Sequence, residues 1–180
     1  CCDEEVRVFD PVADGEALLV LDVGSEVKAL VAFADPATGA PRLVCGTSMD
    51  YGKSGDVRIF DPVAGGEALV VINVGSEVLA LAVFADPATG APRLASGSND
   101  KKVRVFDPLA GGEAFLVIDV GERVNALAVF TDPATGAPRL ACGCQDGKVR
   151  IFDPIAGGEA LLVIDVGSRV LALAVFADPA

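Results

Sequence analysis

The run VLALAVFA, residues 78–85, is apolar at every position. Roughly 18–20 apolar residues are needed for a helix to span a bilayer, so this run is too short to be one. It suits a strand covered on both faces. Three neighbouring runs complete a unit. EALVVIN (67–73) is apolar from Ala68 to Ile72, PRLASGS (92–98) mixes apolar and small polar residues, and KKVRVFD (101–107) alternates Val103 and Val105 with Arg104 and Phe106. Between them stand DPVAGG, NVGSE, DPATGAP and ND. In such segments Asp-Pro sets up turn entry and Gly supplies positive φ. The pattern predicts four short strands in an all-β meander. Helix is a poor fit, because β-branched, Gly and Pro residues recur too densely.

The unit repeats along the chain. Phe9, Phe60, Phe106 and Phe152, each in VR[VI]FDP, are spaced by 51, 46 and 46 residues, and Phe33, Phe84, Phe130 and Phe176 repeat those spacings. Residues 61–106 and 107–152 are identical at 33 of 46 positions. The sequence repeats are 10–60, 61–106, 107–152 and a partial 153–180. A four-stranded unit of this size cannot bury both faces alone, but copies arranged around an axis can, as in a β-propeller. The apolar run 78–85 is then innermost, with Ala80 and Ala82 suited to crowding near a channel.

LASGSNDKKVRVFDPLAGGEA (94–114) resembles a WD40 repeat, with the family's order of strands on either side of an Asp-bearing turn. The resemblance extends over essentially the whole chain. It implies an all-β fold, a β-propeller of four-stranded antiparallel blades that interacts with protein partners. Two departures stand out. Phe9, Phe60, Phe106 and Phe152 replace the family's Trp, and the chain has no His, so Val23, Val74, Val120 and Val166 stand near that position. The Asp–His–Ser/Thr–Trp network the family often carries therefore lacks its His and its Trp. Ser96 keeps a hydroxyl, and Asp100 and Asp146 are expected to cap their own turns. The arginines Arg7, Arg58, Arg104 and Arg150 are expected to pair or stack with neighbouring blades.

Three complete blades are predicted, plus one split between the termini, because the chain falls nine residues short of four repeats. It begins Cys-Cys without an initiator Met. The expectation is a single WD40-like segment (1–180) of a longer seven- or eight-bladed propeller. Two further arrangements are a homodimer closing an eight-bladed ring and a four-bladed monomer.

Comparison of the repeats separates two rims. The DPxAGGEA and DPATGAPR turns barely change. The loop before the innermost strand and the loop TSMDYGKSGD/SNDKK/CQDGK vary. Alternate connections of a meander lie at one end, which places all the variation on one rim. Residues 47–56 also carry five extra residues, including the chain's one Met and one Tyr. Doubling such a loop costs only about 0.6 kcal/mol in closure entropy. Candidate binding residues on this rim are Lys28, Met49, Tyr51, Lys53, Arg123, Asn125 and Arg169. Aromatic, Met and Arg side chains are types favoured in interface cores.

Composition narrows the chemistry. The net charge of −12 disfavours nucleic acid, which binds basic surfaces, and anionic membranes. Five cysteines without consistent pairing fit a reducing, cytoplasmic setting. Without His, a His-dependent triad is excluded, and C-G-C lacks zinc-ligand spacing. No cofactor is expected. The expected function is a non-catalytic protein-interaction scaffold. Its alternatives are an accessory propeller of a larger enzyme or signalling protein and a small-ligand or sugar-binding propeller.

Overall fold

A computed structural model describes residues 4–12, 15–48 and 55–176. The described residues form fourteen strands and no helix. The first pair is β1 (Glu5–Val8) and β2 (Leu19–Asp22). A first blade follows, β3 (Val27–Ala34), β4 (Pro41–Thr47), β5 (Asp56–Phe60) and β6 (Val70–Asn73). The second is β7 (Val78–Ala85), β8 (Pro92–Ser98), β9 (Lys102–Phe106) and β10 (Leu116–Asp119). The third is β11 (Val124–Thr131), β12 (Pro138–Cys144), β13 (Lys148–Phe152) and β14 (Leu162–Asp165). Each blade is a four-stranded antiparallel meander, and β1–β2 form a two-stranded sheet. The fold is an all-β propeller arrangement. Residues 166–176 join no strand ladder among the described residues.

Blade and sequence repeat are out of phase. EALVVIN opens a sequence repeat, yet Val70–Asn73 hydrogen-bonds back to Asp56–Phe60 and closes the preceding blade. The outer strand is also shorter than its apolar run suggests, and Val71 is exposed. It lies at a sheet edge, where only one face meets another blade. The innermost strand β7 lies between β3 and β11, and Ala80 and Ala82 are buried there.

The turns follow from their residues. In Asp86–Gly90 the Asp86 carboxylate accepts the Ala88 N–H at 2.9 Å, and the Gly90 N–H reaches the Asp86 carbonyl at 2.8 Å. Gly90 closes this turn at φ 70°, a conformation that glycine adopts without a Cβ clash.

The cores lie between blades. Val57, Ile59, Ile72 and Val74 of the first blade share a cluster with Val78, Leu94 and Phe106 of the second. Val103, Val105, Ile118 and Val120 of the second share one with Leu140, Cys142 and Phe152 of the third. Val6, Leu21 and Val23 of the N-terminal pair meet Cys45 and Phe60 of the first blade. Burying one large aliphatic side chain is worth about 1.5–3 kcal/mol, so these layers are the main source of cohesion.

Candidate interaction rim

One backbone hydrogen bond recurs at the same place in each blade. Ser48 N–H donates to the Glu26 carbonyl at 2.9 Å, Asn99 to Glu77 at 3.1 Å and Gln145 to Arg123 at 3.0 Å. Each bond joins the connection before an innermost strand to the connection after its neighbour. The two variable loops therefore meet at one end of every blade. At the other end, an arginine brackets the two constant turns. Arg42 lies 3.6 Å from Asp35 and 3.3 Å from Asp61. Arg93 lies 2.8 Å from Asp86 and 3.9 Å from Asp107, and Arg139 lies 3.2 Å from Asp132 and 3.6 Å from Asp153. Arg93 also sits over the Phe115 ring, 4.5 Å from its centroid.

The candidate residues differ in their surroundings. Lys28 is exposed and pairs with Glu26 at 2.7 Å. Hydrogen bonding from Lys28 holds the Glu26 carboxyl below its ordinary range. Arg123 is half-buried, and its Nε has no hydrogen-bond partner among the described residues. Asn125 Nδ2 donates to Gln145 Oε1 at 3.2 Å and to the Val170 carbonyl at 3.3 Å, tying its loop to the following segment. Arg169 is exposed. Met49, Tyr51 and Lys53 lie outside the described residues. The base of their loop is anchored: the Asp56 N–H donates to Thr47 Oγ1 at 3.0 Å, and the Gly55 carbonyl accepts the Val74 N–H at 3.2 Å.

The arginines of the VR strands pair mainly within their own hairpins. Arg104 meets Asp100 at 2.6 Å and Arg150 meets Asp146 at 2.6 Å. Arg58 meets Asp56 at 3.0 Å and also donates to the Val23 carbonyl of the preceding pair. Asp100 and Asp146 do cap their turns, each accepting a backbone N–H at 3.2 Å from Lys102 and Lys148. Burial pushes the Asp100 carboxyl up, but hydrogen bonding and charge from Arg104 outweigh it and hold it low. The candidate binding residues omitted two acidic members of the same variable loops, Glu26 and Glu122, the latter 3.9 Å from Lys101. The usable signal was charge alternation, as in Glu26-Val27-Lys28.

Cys45, Cys142 and Cys144 are buried free thiols. Burial pushes the Cys45 thiol up to about 12 and raises the other two as well. None of the three is an activated nucleophile. A cavity of about 400 Å³ lies between β3 and β7, lined by Val31, Phe33, Pro36, Phe84 and Pro92 among others, with no charged side chain.

Residues 72–107, from the end of β6 through β9, match the family model described as WD domain, G-beta repeat. This stretch is similar to a WD40 repeat. Its Phe106 is buried where the family has Trp. Its Ser96 hydroxyl, buried in the same layer, has no hydrogen-bond partner among the described residues, as the missing network members imply. No curated protein matches the chain. Among solved structures, the computationally designed Ika8 protein is similar at 26% identity and a TM-score of 0.67, covering 98% of this chain and 48% of that one. BBS1N, in complex with ARL6DN and soaked with lead, is similar in fold at 17% identity and a TM-score of 0.63, covering 87% and 46%. The chain thus spans about half the length of each.

Proposed function

We propose that this chain is a non-catalytic WD40-like scaffold that binds protein partners through its variable rim. The carrying observation is the recurrent bond Ser48–Glu26, Asn99–Glu77 and Gln145–Arg123, which collects both variable loops at one end. The described base of the 47–56 loop, Thr47 and Asp56, is anchored at that same end, and the sequence between them includes Met49, Tyr51 and Lys53. The propeller-like BBS1N structure is itself a protein complex, which supports the class of partner and not its identity. The apolar lining of the cavity between β3 and β7 favours this reading over a sugar site, which needs convergent polar groups. A setting within a larger regulatory protein is compatible with the same rim. The buried free thiols support a reducing, intracellular location.

The test replaces residues 47–56 with the five residues SNDKK of 98–102 and reverses charge with K28E, R123E and R169E. A control carries A88E and A134E on the constant rim, where both alanines are exposed. Proteins captured by the wild type should be lost with the first variant and kept with the second, while circular dichroism stays unchanged for both. Equal capture by both variants would sink the proposal.

A further inference from the structure

Inside the chain one interblade contact is made three times. Phe60 shares a core with Leu21 and Val23, Phe106 with Ile72 and Val74, and Phe152 with Ile118 and Val120. Those phenylalanines are 1%, 2% and 2% exposed. The remaining phenylalanine of the series, Phe9, is 54% exposed. The remaining aliphatic pair, Ile164 and Val166, is 46% and 56% exposed, although Ile72 and Ile118 are each 2% exposed. One chain therefore carries both halves of its own recurring contact, unfilled, at opposite ends of the blade series.

We infer that a second copy of this chain docks head to tail, with its Phe9 seated on Ile164 and Val166 of the first. The fit has three precedents within the molecule, using the same residue types at the same strand positions. The arrangement beyond the third blade points to the same occupant. A Cβ on Gly143 would lie 2.6 Å from Val170 Cγ1, just as Gly46 faces Val78 and Gly97 faces Val124 at 2.6 Å each. The chain thus already fills the inner position beyond its third blade, while β14, further out, stays bare on all four residues. The N-terminal pair β1–β2 corresponds to the outer strands β5–β6 of a full blade, with the same antiparallel register. An outer pair from a second copy supplies what the inner segment of the first leaves open. Front and back are different surfaces, so the contact is heterologous and each copy makes it once with each face. Since 98% of this chain matches 48% of the Ika8 chain, two copies have about the length of that one chain.

This inference goes beyond the proposed partner binding and is read independently of it. Light scattering on the purified 180-residue chain, across a dilution series, should give twice the single-chain mass of 18.3 kDa. F9D and I164D should each return the single-chain mass with an unchanged circular dichroism spectrum, since both side chains are exposed in one chain. A wild-type protein of single-chain mass at every concentration would overturn the inference. So would a two-chain mass that both substitutions leave intact.

Discussion

Ser96 keeps a hydroxyl in a fully buried position where the other two blades hold Cys45 and Cys142. With Phe106 in place of Trp and no His in the chain, nothing among the described residues bonds that oxygen. An unsatisfied buried hydroxyl costs about 1–3 kcal/mol. S96C installs the side chain that the neighbouring blades already accommodate. It should stabilise the protein by roughly 1–2 kcal/mol, read as a higher urea midpoint with an unchanged slope. A lower midpoint would mean that the hydroxyl has a partner. The sequence made the missing network visible at this scale, because a lost His and a lost Trp can be counted. It did not reveal the Arg104–Asp100 and Arg150–Asp146 pairs, which depend on how a tight hairpin aims two side chains across its turn.

Between elements, a recurring close fit is a valine at the inner position of one repeat entering a glycine gap in the preceding blade. Gly46, Gly97 and Gly143 each face a valine Cγ1 at 2.6 Å from an ideal Cβ. Val124 is β-branched with little rotamer freedom, so it cannot swing clear of an added methyl. G97A should therefore destabilise by about 1–3 kcal/mol through overpacking. V124A makes room for that methyl. In denaturant unfolding the double variant should lose less than the two single losses added together, with a coupling of about 1 kcal/mol or more. Strict additivity would show that this pair is not the limiting contact. The four strands and their turns were legible in alternation and Asp-Pro/Gly chemistry, both local signals. The Gly–Val fit was not, since its partners lie in different blades and meet only when the blades stack.

For the whole molecule, pH dependence follows from which groups titrate. The chain has no His, so no side chain of ordinary pKa changes charge between about pH 5 and 8. Stability should be flat there. Asp35, Asp61 and Asp86 are held low, first by the backbone N–H groups of Ala37, Ala64 and Ala88. Asp132 is held low first by the Thr135 hydroxyl. Carboxyls lowered in the folded state add stability that is present above their unfolded value of about 3.9 and is lost as pH falls through the lower folded values. The Cys45 thiol, raised to about 12, adds stability that is present below its unfolded value. That contribution fades as pH rises above roughly 8.5 toward the folded value. Urea midpoints measured against pH should therefore form a plateau with an acid limb below about pH 4 and an alkaline limb above about pH 8.5. A slope across pH 5–8 would contradict this assignment.

By itself the sequence determined the repeat, the all-β blades, the innermost strand and the grouping of variable and constant turns. Side-chain period and turn chemistry are local, and in-register repetition amplifies them. Tertiary structure decided the rest. It assigned Val70–Asn73 to the preceding blade, because strand pairing depends on which edge is free across a turn. It also separated Phe9 from Phe60. Both sit in the same VR[VI]FDP motif, yet one is 54% exposed and the other 1%. No local pattern distinguishes them, because burial is set by the neighbouring blade and not by the strand that carries the residue.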